Sequence, residues 1–212
     1  MQNPTTWSAI CLLILLSSCS GDDAGQNSNT VTTTTCDTDS GERTTAMFGD
    51  AASDPQITVL ARQENGSTTD VGEGVTISLM EPPQGGRVMF IGVKAMNFGA
   101  CGVRLEASLQ DEATQQVQFD NRSFNLVPVE DGWGSSALAD LSTFSNIPLC
   151  PNNWSDSNIY DNTFLLTVTL TDLQDRQVTF TAHVTPTCMP GAEQAQCQCF
   201  CKTGYVLGQS CS

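Results

Sequence analysis

Val103-Arg-Leu105-Glu-Ala107-Ser-Leu109-Gln110 decides the class of this fold, because apolar and polar side chains alternate along the whole stretch. In an extended chain successive side chains point to opposite faces, so Val103, Leu105, Ala107 and Leu109 share one face that must be covered. Phe164-Leu-Leu166-Thr-Val168-Thr-Leu170-Thr171 and Val178-Thr-Phe180-Thr-Ala182-His-Val184-Thr185 carry the same two-residue period. Weaker versions run over Ile57 to Ala61, Val75 to Leu79, Arg87 to Met96, Gln115 to Phe119 and Arg122 to Val127. Turn-forming residues separate them at Glu64-Asn-Gly66, Pro82-Pro-Gln-Gly-Gly86, Asn97-Phe-Gly-Ala-Cys-Gly102 and Asp172-Leu-Gln-Asp175. A sheet with one apolar face needs a second layer over it. The pattern therefore predicts an all-β protein, an antiparallel β-sandwich over residues 46–187, with a small disulfide-rich tail at residues 188–212.

The one long apolar run, Ala9-Ile-Cys-Leu-Leu-Ile-Leu-Leu16, falls well short of the roughly 20 residues that a spanning helix needs. It leads into Leu16-Ser17-Ser18-Cys19, which resembles the lipobox of bacterial lipoproteins. That resemblance implies that residues 1–18 are a signal peptide removed before Cys19. It also implies that Cys19 receives a diacylglycerol on its thiol and an acyl chain, such as palmitate, on its amine. Several acyl chains at about 0.8 kcal/mol per buried CH₂ give stable attachment to a membrane. The leader carries no Lys or Arg, a departure from the positive start of such signals. Ser20, in place of the Asp that retains some lipoproteins at the inner membrane, points to the outer membrane.

Without residues 1–18 the chain has 212 − 18 = 194 residues, enough for one domain with a sizeable core. Its formal charge is −15, which excludes nucleic acid and anionic lipid headgroups as natural partners. Besides Cys11 in the leader and Cys19, it holds Cys36, Cys101, Cys150, Cys188, Cys197, Cys199, Cys201 and Cys211. An even number suits an oxidising compartment and predicts four bridges, with a Cys101 to Cys150 pair expected to pin two loops. The single-residue spacing within Cys197-Gln-Cys199-Phe-Cys201 is too short for a zinc knuckle, so neither metal nor cofactor is expected.

Residues 19–45 are rich in Ser, Thr, Asp, Gly, Asn and Gln and are expected to be a disordered linker. Within them Thr30-Val-Thr-Thr-Thr-Thr35 reads as a stalk or, alternatively, an edge strand. Asp37-Thr-Asp-Ser-Gly-Glu42 reads as solvated linker or as a partial calcium loop. The stretch from Arg87 to Cys188 resembles the immunoglobulin-like sandwiches of bacterial lipoproteins in architecture, without the Cys, Trp and Cys core signature. Cys199-Phe-Cys201-Lys-Thr-Gly204-Tyr205 to Cys211 resembles the second half of an EGF-like module. That second resemblance implies a Cys201 to Cys211 bridge, with one remaining tail cysteine pairing outside the tail, to Cys36 or Cys150.

Residues 128–163 are too long for an ordinary connection. Ser135-Ser136 is expected to cap a short helix over Ala137 to Ser145, which Pro148 stops from extending. Trp133, Trp154 and Tyr160 all fall here, either as a binding surface for protein or glycan or as plugs closing the sandwich. His183, the one histidine, occupies a polar position of an alternating strand, so no Ser–His or Cys–His pairing is expected. Glu130-Asp131 and Asp111-Glu112 read as surface turns, and the sequons at Asn65, Asn121 and Asn153 as chance. The sequence therefore predicts a non-enzymatic, lipid-anchored binding or structural protein of a bacterial cell envelope. The alternative is a surface hydrolase or inhibitor that works through acidic loop residues with calcium.

Overall fold

The computed structural model describes Cys36 and residues 46–211; the signal segment, Cys19, the linker and the Asp37 to Glu42 loop lie outside the described residues. The chain forms β1 (Met47–Phe48), β2 (Gln56–Arg62), β3 (Thr68–Asp70), β4 (Val75–Leu79), β5 (Arg87–Met96), β6 (Phe98–Gly99) and β7 (Val103–Gln110). It continues through β8 (Val117–Phe124), β9 (Val127–Pro128), β10 (Gly134–Ser135), β11 (Ser145–Cys150), β12 (Phe164–Thr171) and β13 (Gln177–Cys188), and ends in α1 (Gln194–Cys201). One sheet is ordered β4-β13-β12-β7-β8. The other is ordered β3-β2-β5-β10-β9, with β11 also on β5, while β1 and β6 make a short separate pair. The protein is an all-β sandwich with a disulfide-rich C-terminal region.

Alternation produces the layers. Val103, Leu105, Ala107 and Leu109 of β7 and Phe164, Leu166, Val168 and Leu170 of β12 are buried, while Arg104, Glu106, Thr167 and Thr169 face outward. Opposite them, Met89, Ile91, Val93 and Ala95 of β5 fill the same core. Each such side chain contributes about 1.5–3 kcal/mol by leaving water, which fixes the register, since a one-residue slip would turn every apolar group outward. β5 also carries Phe90 and Val88 toward a second cluster with Phe144. Gly92 makes room for that ring: a Cβ there would lie 2.6 Å from Phe144 Cε1.

Three expectations change. The sheets are not wholly antiparallel, because β13 pairs in parallel with β4 from Val184–Val75 to Cys188–Leu79. The turn at Pro82 to Gly86 carries the chain from β4 in one sheet to β5 in the other, with a single antiparallel bridge between Met80 and Val88 across it. As expected for a sandwich over residues 46–187, the strands before Arg87 belong to it, β2 lying between β3 and β5. The two short runs expected between Gln115 and Val127 merge into one strand, β8, over Val117–Phe124, while Val127 starts β9; the Asp111 carboxylate accepts the Ala113 N–H at 2.9 Å in the turn before β8. Finally, Ala137 to Ser145 is not an α-helix. Ser136 is buried, accepting the Val93 N–H and donating to Thr143 O, and only a single 3-10 turn at Leu141–Thr143 forms, capped by Asp140. Burial of Ile147 and Leu149 draws the next residues into β11 and overrides the local preference.

Candidate functional site

The strands give the sandwich two ends. β7 starts beside Cys101 and runs to Asp111, and β13 runs the same way to Cys188. β5 starts at Arg87, opposite Cys150, and runs back toward Cys101. Its length separates the two ends by roughly 30 Å at about 3.3 Å per residue. The expected Cys101 to Cys150 bridge is therefore out of reach. Cys101 bonds Cys36 at one end, and Cys150 bonds Cys201 at the other.

The helical phase of α1 sets the remaining pairs. Residues four apart lie one turn apart on one face, so Cys197 and Cys201 both point into the sandwich, where they are buried and bond Cys188 and Cys150. Cys199 points away and bonds Cys211. The Cys201 to Cys211 pair implied by the EGF-like resemblance is not formed, because a helix puts those two cysteines on different sides. Cys150 is the residue that staples the tail to the sandwich. The sulfurs of Cys188, Cys197 and Cys201 lie within 4.8 Å of one another, yet each is already in a disulfide and has no thiolate to offer a metal.

The three aromatic residues expected to share a surface are divided between the ends. Trp133 is half-buried in the β9–β10 hairpin, next to Gly134, which pairs with Ala95 at the Cys101 end of β5. Trp154 belongs to the tail end and is only 5% exposed, with Nε1 donating to Leu149 O at 3.0 Å and its ring 5.6 Å from that of Phe164. It is a plug, which corrects its place in the expected contact surface. Tyr160 is half-buried against the core between Ile159 N–H, which bonds Cys201 O, and Asp161 N–H, which bonds Pro186 O. Tyr160 therefore sits where tail and sandwich meet.

His183 is likewise at the tail end. Its Nδ1 lies 2.8 Å from Glu73 Oε1 and its Nε2 3.1 Å from Glu112 Oε2, while its backbone N–H donates to Glu73 Oε2. The two carboxylates raise the His183 pKa above its ordinary value of 6.5, Glu73 most. The His183 backbone N–H, and after it the ring, lower that of Glu73. Both ring nitrogens face carboxylates rather than a hydroxyl or thiol, so the arrangement ties two turns to β13 and prepares no nucleophile.

Between the tail and the sandwich lies a cavity of about 630 Å³. Leu79, Met80, Met189 and Pro190 form its apolar walls, and Glu64, Glu81 and Glu193 bring carboxylates to it. Arg87 closes the base with a side chain only 3% exposed. Its guanidinium pairs with Glu81, donates to Gly86 O at 3.1 Å and approaches Glu193 at 3.4 Å. A second hollow of about 480 Å³, lined by Gln63, Glu64, Asn65 and Met189, shares Glu64 and Met189 with the first. Sequence reading missed this site. Glu81 and Arg87 do flank a visible turn, but no spacing signal links them to Glu193, more than a hundred residues later. Comparison of the chain with protein-family models and with curated proteins returns no match.

Proposed function

We propose that this protein is a lipid-anchored, non-enzymatic binding module of a bacterial cell envelope, attached to the outer membrane through Cys19 and presenting its tail end to a protein or glycan. The observation that carries the reading is the Cys36–Cys101 bridge, which brings the chain from Cys19 into the sandwich at the end opposite the tail. From Ser20 to Thr35 that chain reaches at most about 55 Å when drawn straight. The lipobox residues Leu16 to Cys19 supply the anchoring half of the reading by resemblance. Pairing of all eight cysteines after Cys19 fits an oxidising compartment and supports export. An immunoglobulin-like sandwich is the form such a module takes under this reading. The test is an intact-mass spectrum of the protein purified from bacterial membranes. Acyl chains on an N-terminal Cys19 and a mass lower by eight thiol hydrogens are expected. A Cys19 without acyl chains overturns the anchor.

A further inference from the structure

We infer that the groove between tail and sandwich binds a lysine- or arginine-rich peptide segment of a partner protein. The inference rests on the tail end being the presenting end. The two hollows share Glu64 and Met189 and so adjoin along the tail. The larger hollow, about 630 Å³, falls in the range of known ligand sites, about 300–1,000 Å³. Met80 and Met189 line it with unbranched thioethers, which adapt to the methylene stems of Lys and Arg.

Charge selects the sign of the partner. Three carboxylates and one guanidinium line the groove, and the guanidinium is engaged by Glu81, by Gly86 O and by Glu193, which leaves negative charge in excess. Glu193 accepts from Arg87 at 3.4 Å but is 71% exposed, so its carboxylate can exchange that partner for a ligand cation. Glu64 is an exposed residue of the same lining. A formal charge of −15 draws a basic segment to the molecule from a distance, and the groove determines where it docks.

The test uses the mature, disulfide-intact protein and two fluorescein-labelled peptides, one alternating Lys with Leu and the other Glu with Leu, followed by fluorescence anisotropy at physiological salt. The Lys peptide is expected to bind and the Glu peptide to show no binding. Glu64→Gln with Glu193→Gln should weaken binding of the Lys peptide at least about tenfold, a change in line with losing two close charge pairs. Glu106→Gln with Glu130→Gln removes the same formal charge at exposed positions outside the groove and should leave binding within about twofold. Met189→Lys should abolish it by placing a cation in the groove. Absence of Lys-peptide binding, or equal weakening by both double variants, overturns the inference, the latter because diffuse charge would then suffice. Unacylated Cys19 with intact peptide binding would remove the anchor alone; acylated Cys19 without peptide binding would remove the groove alone.

Discussion

At the end where Cys36 joins the sandwich, closure depends on one buried carboxylate. Asp172, whose side chain is fully buried, accepts from Gly99 N–H, Gln174 N–H and Arg176 N–H and from the Arg176 guanidinium at 2.7 and 2.9 Å. Arg176 then donates to Asn97 O, and Asn97 holds Asp50 and Asp54. At the tail end three disulfides take that place. The difference follows from what each end has to hold. A turn of a few residues can be fixed by hydrogen bonds from strands that are already ordered. A C-terminal segment whose one helix buries only Cys197 and Cys201 needs covalent links to stay in place.

The comparison breaks first at the tail staple. Cys150→Ala with Cys201→Ala opens a loop of 51 residues, worth about 4 kcal/mol in the chain-entropy account, and should lower the melting temperature by roughly 10 °C. Trypsin should then cut after Lys202 while the sandwich survives, as read by mass spectrometry after reduction. Simultaneous loss of the whole domain would show that both ends unfold as one unit. Next in size, Trp154→Ala should cost about 3–4 kcal/mol by emptying a core site, against about 1 kcal/mol for half-buried Trp133→Ala, both measured by urea unfolding. Equal costs would sink the distinction drawn between plug and hairpin residue.

At the opposite end, Asp172→Asn should cost about 2–3 kcal/mol, less than a wholly buried pair because Arg176 keeps a quarter of its side chain in water. The smallest effect belongs to His183. Its raised pKa means that protonated His183 stabilises the fold fully below pH 6.5, a contribution that disappears as pH rises through the folded-state value. Glu73 acts in the other direction: its lowered pKa gives stability above its ordinary 4.5, lost as pH falls below it. Melting temperature should therefore be highest between those two values and decline toward pH 8. His183→Gln should flatten the alkaline side of that profile; an unchanged slope would assign it to other groups.

Much of the sandwich was legible because its signal is local. β4, β5, β7 and β12 run over the residues that alternate in the sequence, since period two is a property of extended backbone and one wet face. The tail was not legible in the same way. Its Cys199-Phe-Cys201 step resembles an EGF-like half, yet the segment folds as α1, and a period of 3.6 residues turns Cys201 to Cys150 and Cys199 to Cys211. Ser135-Ser136 failed for a related reason: the pair suits a helix cap, but burial against β5 claimed both residues. The groove was hidden because its chemistry comes from four separated stretches, around Glu64, Met80, Arg87 and Met189.

By itself, the sequence determined the all-β class, the inward faces of the principal strands, the acidic character and an even set of cysteines after Cys19. Each follows from stereochemistry or composition over a few residues. Only the tertiary structure decided which cysteines meet, which tryptophan plugs the core and where a groove opens between tail and sandwich. Those outcomes depend on helix phase and on the distance between the two ends, quantities that arise only when segments far apart in the chain pack against one another.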